Sequence, residues 1–356
     1  MKITFPWLGE EDTVNLEHVR HMRRMHGVAC ALNDIPIGEL WPMEDILRLK
    51  ESIEAAGLSF DAVEILPVHE DIKLRRGDYK RFLENYRENI VRLSKAGAVC
   101  VCYNFTPAFN AAQSIIAREL AEGPKFETDD DPADFPILVE DLTRSARDDI
   151  PEETSRMLDD YRALGSEGLW RNYGLFIKEI MPTAASVGVN MAIHPDELPE
   201  TLLRASDLPS LASTEEDIDR LLSCSNDKHH GIVMCTGSFS HVWGPPSTLF
   251  DDYARMITKY AGMGRVHFAH VRDVKISEDG YMLENAHISP YDSQDVERLL
   301  AVFFNSGYKG CFRYDHRRMT VTEDGTPTYG LYDRIVGAMF LTGVMITLET
   351  RLKMAS

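Results

Sequence analysis

The sequence predicts an α/β protein in which eight parallel strands, most of them followed by a helix, close into a TIM barrel. Three observations support this prediction: short apolar, β-branched runs recur along the chain, amphipathic stretches of helical period separate most of them, and glycines stand where helices would end. Strands that alternate with helices form βαβ units around a parallel sheet, and eight such units close naturally into a barrel. The doubly wound alternative is disfavoured because no GxGxxG motif follows the first strand.

The predicted strands and helices alternate through the chain. The eight strand-like runs are residues 2–7, 27–32, 60–66, 98–105, 189–195, 231–236, 266–272 and 310–315. The amphipathic stretches are residues 42–56, 79–96, 169–187, 214–223, 248–261 and 292–305. The predicted C-terminal caps, just ahead of a following strand, are Gly57, Gly97, Gly188 and Gly307.

Two connections are long for a βα loop. Residues 106–168 contain the acidic, proline-broken FETDDDPADFP and the helical SARDDIPEETSRMLDDYRALG, and residues 196–213 form the second connection. Both follow a strand, so in a TIM barrel both would cover the face that carries the site. We therefore expect a single domain, residues 1–356, with 106–168 as a lid insertion. A solvated surface excursion is the alternative.

The composition limits the classes of partner. The net charge of −19 argues against nucleic acid or an anionic membrane surface, although local arginines still allow a small anionic substrate. No run of about 18 apolar residues predicts a membrane span, and the N-terminal MKITFPWLGEED lacks the regions of a signal peptide. The six cysteines form no CxxC pair and mostly lie in apolar runs, as buried thiols of a reducing compartment would. We expect a cytoplasmic protein, and the sequence allows either a monomer or a homo-oligomer.

Four predicted strands end on side chains that can bind a metal. The fifth to eighth strands end, in order, on His194, Cys235, His270 and Asp315. Side chains at the C-terminal ends of barrel strands converge on one mouth, so these four would be neighbours. Two imidazoles, a thiolate and a carboxylate suit a catalytic divalent transition metal. Taken singly, each is more often a polar strand end than a ligand; their occurrence on consecutive strands favours the metal site.

Other polar residues near the strand ends are candidates for proton transfer and substrate binding. His316 stands beside Asp315, and an imidazole next to a metal ligand suits an acid/base group, unless it merely faces water. Arg272 and Arg313 could pair with a substrate carboxylate, or equally form structural ion pairs. His69 follows the third strand and is a further candidate for substrate binding.

The same residues carry a resemblance to a known family. The chain resembles the mannonate dehydratases, sugar-acid-metabolising enzymes with a xylose isomerase-like TIM barrel. The matching segments, in chain order, are FPWLGEEDTVNL, MHGVACALNDIPIGELW, ILPVHEDIK, VCYNFTPAF, MAIHPDE, MCTGS, HFAHVRD, ENAH, DH and YGLYDRIVG. Each element is weak alone, but their order is specific.

The resemblance implies a hydro-lyase of glucuronate catabolism that converts D-mannonate to 2-keto-3-deoxy-D-gluconate. It implies Mn²⁺ as cofactor, or Fe²⁺ or another divalent transition metal, held by the four strand-end residues. It assigns the acid/base pair to His316 and Tyr329 without deciding which is the acid. The metal or Arg334 would favour the ionised form of Tyr329, which without the resemblance would be a packing aromatic. The expected substrate-binding residues are His69, Asn104, Arg272, Arg313 and Arg334.

The sequence departs from the family pattern in its loops. The usual R-P-D-H-G at the eighth strand end is Arg313-Tyr314-Asp315-His316-Arg317 here. A family segment that supplies Trp and Arg is replaced by residues 110–113, NAAQ, and the G-L-P-R-I segment becomes DLPSL at residues 207–211. The ligand set and the His/Tyr pair survive, which favours retained chemistry on an altered substrate. The alternatives to mannonate are therefore a dehydratase, epimerase or isomerase of a related sugar or sugar acid, or a non-catalytic sugar-acid sensor.

Overall fold

A computed structural model of the chain describes residues 1–107, 152–196, 208–238, 246–272, 274–276, 282–284, 296–315 and 331–355. Eight parallel strands close into a barrel, in the order β1-β10-β7-β6-β5-β4-β3-β2. The barrel strands are β1 (Lys2–Pro6), β2 (Met25–Cys30), β3 (Ser59–Val63), β4 (Cys100–Tyr103), β5 (Asn190–Ile193), β6 (His230–Cys235), β7 (Val266–Val271) and β10 (Cys311–Tyr314). The predicted TIM barrel is confirmed.

Helices surround the barrel. They are α1 (Leu16–Arg20), α2 (Met43–Ala55), α3 (Glu70–Leu74), α4 (Tyr79–Ala96), α5 (Glu152–Val187), α6 (Glu215–Ser223), α7 (Pro246–Gly262), α8 (Val296–Asn305) and α9 (Leu331–Ala355). The predicted cap at the end of α4 shows why a glycine stands there. Gly97 has φ of 101°, and its N–H donates to the carbonyls of Leu93 and Ser94, which closes the helix before β4.

The barrel interior is packed. Below the mouth, the lumen holds mostly small side chains together with one aromatic ring: Ala29, Ala62, Cys100, Cys102, Ala192, Val233, Phe268 and Cys311. A larger apolar cluster lies between the strands and the surrounding helices. The lumen is therefore a core, as in other barrels of this type, and polar chemistry is confined to the strand ends.

The connection after β7 carries a structure that the sequence did not predict. Strands β8 (Val274–Ile276) and β9 (Met282–Glu284) pair antiparallel and form a small sheet of their own, apart from the barrel. Each strand has three residues, too few to show an alternating pattern against the surrounding sequence. The region that follows β7 thus has local order beyond a simple loop.

Part of the predicted lid is helix. Helix α5 begins at Glu152, inside the stretch SARDDIPEETSRMLDDYRALG that was predicted to be helical, and it breaks at Gly165, where φ is 66°, before the predicted stretch 169–187. Tyr161, in the early half of α5, is buried and donates its hydroxyl proton to Glu70. Residues 152–168 therefore pack onto the barrel through α3. The rest of the predicted lid beyond residue 107, residues 108–151, lies outside the described residues, so the lid stays a prediction.

The last helix is long and apolar. Residues Leu331–Met354 are, by length and composition, the one segment of the described chain that could cross a membrane, and 28% of its most apolar window is buried. The sequence analysis did not foresee such a segment. In the barrel, α9 packs against β10 and α8 and buries Arg334, Ala338 and Leu341. It thereby occupies the place of the eighth barrel helix.

Candidate active site

Four side chains meet at the mouth formed by the C-terminal ends of the barrel strands. They are the residues that the strand ends predicted: His194, Cys235, His270 and Asp315. One donor atom from each lies within 4.8 Å of the others, and all four residues are buried. Strand register contributes directly, because Cys235 on β6 and Arg313 on β10 both pair with His270 on β7.

Neighbouring groups fix which nitrogen each imidazole offers. His194 Nδ1 lies 2.7 Å from the carbonyl oxygen of Pro195, which can only accept, so Nδ1 carries the proton. His270 Nε2 lies 2.6 Å from Glu64 Oε1, a close ion-pair contact outside ordinary hydrogen-bond geometry. The two remaining nitrogens, His194 Nε2 and His270 Nδ1, face each other at 3.1 Å. Both rings therefore direct their second nitrogen into the same space.

The sulfur and the carboxylate complete the cluster. Cys235 Sγ lies 3.6 Å from Asp315 Oδ2, and the same oxygen lies 3.6 Å from His270 Nδ1. Arg313 Nη1 approaches the other carboxylate oxygen at 3.0 Å, and Arg272 Nη1 lies 3.6 Å from Oδ2. Asp315 is thus oriented by two guanidinium groups while one face remains toward the imidazoles.

The donor set fits a divalent transition metal. Two donors bound to one ion at about 2.0–2.3 Å are at most about 4.6 Å apart, close to the 4.8 Å that bounds this cluster. Two nitrogens, a sulfur and a carboxylate oxygen suit a divalent transition metal better than magnesium or calcium, which prefer oxygen. The charges agree: burial and Arg313 lower the pKa of His270, but Glu64 and Asp315 raise it by more, so the cluster attracts a positive charge.

Glu64 is a site residue that the sequence analysis missed. It directly follows β3, and its side chain is 6% exposed. Its oxygens each accept a hydrogen bond of 2.7 Å from Arg313, through Nε and Nη2. Burial opposes ionisation of Glu64, but Arg313 and His270 outweigh it and hold the pKa of the carboxyl far below its usual value. The strand-end rule would have found this residue, had the third strand been ended at Val63 instead of Leu66.

Two predicted substrate-binding residues follow β3 and β4, in the half of the barrel that carries none of the four clustered donors. Asn104 follows β4, is 3% exposed, and its Nδ2 has no hydrogen-bond partner among the described residues. His69 caps the N-terminus of α3: its Nδ1 accepts from the Asp71 amide at 3.0 Å, and its ring stacks on Phe82. Burial lowers the pKa of His69. Among the described residues, the Asn104 amide can therefore still donate a hydrogen bond, whereas the His69 ring already caps α3.

Arg334 is engaged elsewhere. Its Nη atoms donate to Asp12 Oδ2 and Oδ1 at 2.9 and 2.7 Å, and to the Thr13 hydroxyl at 3.1 Å. Burial favours the neutral form of Asp12, but Arg334 and the amides of Val14 and Leu8 outweigh this effect and lower the pKa of the carboxyl. Arg334 thus ties the start of α9 to the segment after β1, and its predicted contact with substrate has no support from these bonds.

The predicted acid/base pair, His316 and Tyr329, lies outside the described residues, as do residues 110–113 and 207 of the altered loops. The proton-transfer roles of His316 and Tyr329 therefore stay predictions. The adjacent described positions, Asp315 and Leu331, place the ends of that segment after β10 and at the start of α9.

Comparison with known proteins gives one consistent answer. Residues 1–355 match the family model described as D-mannonate dehydratase (UxuA). The chain is 37% identical over 349 residues to "Mannonate dehydratase 2" of Halalkalibacterium halodurans, covering 97% of this chain and 98% of that protein. The crystal structure of mannonate dehydratase from Streptococcus suis serotype 2 superposes with a TM-score of 0.84 at 32% identity, covering 99% of this chain and 96% of that one.

A more distant likeness concerns the fold alone. A xylose isomerase-like TIM barrel protein from Mycobacterium smegmatis, solved with magnesium, has a TM-score of 0.52 at 13% identity, over 94% of this chain and 87% of that one. The family match over residues 1–355 and the 37% identity to the Halalkalibacterium halodurans protein are stronger evidence than this likeness in fold. Both agree with the residues found at the barrel mouth. The chain belongs to the D-mannonate dehydratase (UxuA) family.

Proposed function

We propose that the protein is a metal-dependent hydro-lyase that converts D-mannonate to 2-keto-3-deoxy-D-gluconate and water. The observation that carries this proposal is the buried cluster of His194, Cys235, His270 and Asp315 at the barrel mouth, within a chain of this family. The same proposal makes the protein a cytoplasmic enzyme of glucuronate breakdown that acts on a small sugar acid, with no nucleic acid or membrane as partner. A homo-oligomer is compatible with it.

The reaction removes a weakly acidic proton next to a carboxylate and expels a hydroxide from the neighbouring carbon. A divalent cation, when bound, supplies the positive charge that the enediolate oxygens need. His194 Nε2, Cys235 Sγ, His270 Nδ1 and an oxygen of Asp315 would hold it, since these atoms face one another. We propose Mn²⁺ for this position, with Fe²⁺ as the second choice.

The charges of the described groups suit an anionic substrate. With a metal bound, Glu64, Asp315 and the Cys235 thiolate would contribute three negative charges, and Arg272 and Arg313 two positive ones. A divalent ion would leave the cluster with one net positive charge, which a single substrate carboxylate would neutralise. Because these side chains are buried, that charge would be felt strongly at the mouth. A neutral sugar would gain no comparable attraction.

Proton transfer is assigned to residues of this chain. His316, beside Asp315, and Tyr329 would transfer the two protons, one from the α-carbon and one to the departing hydroxide. Asn104 Nδ2, at the end of β4, has no partner in the described part of the chain, which suits a hydrogen bond to a substrate oxygen. Burying such a donor without a partner is costly, so a bound hydroxyl would be favoured there.

The test is a product assay with a metal arm. Purified protein supplied with Mn²⁺ and D-mannonate should release a 2-keto acid, and a chelator should stop the release without unfolding the protein. Failure to form any 2-keto acid from any aldonate would favour the sensor alternative.

The altered loops favour a shifted substrate preference. Buried hydrogen-bonding partners discriminate strongly between substrates, and the expected Trp and Arg of the family loops are replaced here. We propose that mannonate or a close aldonate is dehydrated, with lower efficiency on mannonate than in relatives that keep those residues. Kinetics with mannonate, gluconate, altronate and shorter aldonates decide between these substrates, and efficient, exclusive turnover of mannonate would contradict the shifted preference.

A further inference from the structure

Glu64 reaches across the barrel to the metal cluster from the opposite side. In the closed strand order β1-β10-β7-β6-β5-β4-β3-β2, four steps separate β3 from β7 in either direction, so the two strands face each other across the lumen. Glu64 follows β3, yet its Oε1 lies 2.6 Å from Nε2 of His270 on β7. A buried carboxylate that spans the lumen links the half of the barrel without ligands to the half that carries them.

The carboxylate of Glu64 serves two of the four ligand residues. It contacts His270 directly, and it accepts two hydrogen bonds of 2.7 Å from Arg313. Arg313 in turn lies 3.0 Å from Asp315 Oδ1 and also donates to the carbonyl of Tyr314 at 2.7 Å. Glu64 therefore acts on Asp315 through Arg313, and on His270 without an intermediary.

We propose that Glu64 is a positioning residue of the metal centre: its carboxylate, 2.6 Å from Nε2 of His270, turns the opposite nitrogen, Nδ1, toward the metal, and it orients Arg313 against Asp315. This inference rests on the proposed metal site. Ligating histidines usually give their second ring N–H to a carboxylate or carbonyl, and loss of that partner typically weakens metal binding about 10–100-fold. The ring of His194 has a partner of its own, the carbonyl of Pro195, 2.7 Å from its Nδ1.

The role requires a full-length carboxylate. An amide in place of the carboxylate keeps one acceptor oxygen, which cannot serve His270 and both Arg313 donors together. Aspartate keeps the charge but is shorter by one C–C bond of about 1.5 Å, so it cannot keep both contacts across the lumen. Glu64→Gln and Glu64→Asp are therefore complementary variants, one losing charge and the other losing reach.

The experiment measures metal binding and ligand geometry as well as turnover. The Kd for Mn²⁺ is measured for wild type, Glu64→Gln and Glu64→Asp, and the absorption spectrum of each Co²⁺-loaded protein reports the coordination and the thiolate ligand. The matched control is Asp12→Asn, which breaks another buried arginine–carboxylate pair, with Arg334, without touching the four ligand residues. Circular dichroism of the metal-free proteins shows which variants fold.

The expected result is a Kd raised about 10–100-fold in both Glu64 variants, with a changed Co²⁺ spectrum, while Asp12→Asn keeps the wild-type values. Saturating Mn²⁺ should restore most of the turnover of Glu64→Gln. Wild-type affinity and spectrum in both Glu64 variants would overturn the proposal, as would equal weakening by Asp12→Asn. Turnover that stays low with metal bound would place Glu64 on the substrate and overturn the positioning role. If the wild type itself binds no metal, the proposed function fails instead.

Discussion

Two buried arginine–carboxylate pairs stand near the barrel mouth, and they differ in what surrounds them. Arg313 holds Glu64 with two bonds of 2.7 Å, and Arg334 holds Asp12 with bonds of 2.7 and 2.9 Å. Their side chains are at most 6% exposed. By chemistry, distance and burial the two pairs are nearly the same.

Their neighbours separate them. The Glu64–Arg313 pair touches His270 and Asp315, two of the clustered donors. The Asp12–Arg334 pair touches the Thr13 hydroxyl and the Phe5 ring, and Asp12 accepts from the amides of Leu8 and Val14. The first pair orients side chains that can bind a ligand, and the second fastens the segment after β1 to the last helix. Burial of a charge pair therefore does not by itself indicate function; the groups it touches do.

The largest effect should follow from removing one of the proposed metal ligands beside the Glu64–Arg313 pair. Cys235→Ala and His270→Ala should each lose the bound metal and all measurable dehydration, because the remaining donors cannot hold the ion in place. The barrel should persist, since its strands and apolar core do not depend on the metal. Metal content and product formation are measured on the same preparations. Cys311→Ala, which removes a buried thiol of the lumen, is the matched control and should keep both. Undiminished metal in the Cys235 and His270 variants would contradict the site.

A smaller loss should follow from removing the predicted proton-transfer groups. His316→Asn and Tyr329→Phe should each lower kcat by roughly 10²–10⁴-fold with metal still bound. Because the two residues act as a unit, the double variant should lose far less than the product of the single effects. Steady-state kinetics at saturating Mn²⁺ measure this. Turnover close to wild type in Tyr329→Phe would return that residue to a packing role.

These two predictions differ in how the sequence supports them. The donors His194, Cys235, His270 and Asp315 were found from the sequence because each ends a strand, and barrel topology brings strand ends together. The acid/base role of Tyr329 depended on family resemblance alone. Glu64 was missed because the apolar run continues past it to Leu66, which hid the true strand end at Val63.

The pairing of charges could not be predicted from the sequence. Arg313 was expected to bind a substrate carboxylate or a structural partner, and its partner, Glu64, lies 249 residues away along the chain. Arg334 likewise pairs with Asp12 over 322 residues. Such contacts depend on how the strand ends, the loops and the last helix are placed around the barrel mouth, and on how far each side chain reaches. Periodicity and local motifs carry no information on either.

Breaking the Asp12–Arg334 pair should lower the stability of the fold and leave metal binding unchanged. Asp12→Asn leaves the buried guanidinium of Arg334 without its charged partner, and breaking a buried pair in this way typically costs about 3–5 kcal/mol. Urea unfolding of the metal-free protein should show a clearly lower midpoint, with the Mn²⁺ affinity unchanged. A variant as stable as wild type would mean that the Arg334 head group finds water or other acceptors and that the clamp is dispensable.

The smallest expected effect is the pH dependence of the difference in stability between wild type and Asp12→Asn. Arg334 lowers the pKa of Asp12 despite burial, so the unfolded chain takes up a proton on Asp12 at a higher pH than the folded protein does. The stabilisation is therefore fully present above the unfolded value of about 3.9 and declines as pH falls through the lower folded value. The stability gap between wild type and Asp12→Asn should be constant from about pH 7 to pH 5 and should narrow below about pH 4. Thermal unfolding of the metal-free proteins across this range measures the gap. A gap that is flat down to pH 3 would indicate that Asp12 titrates alike in both states, so that its attachment to Arg334 gives no net preference for the ionised form.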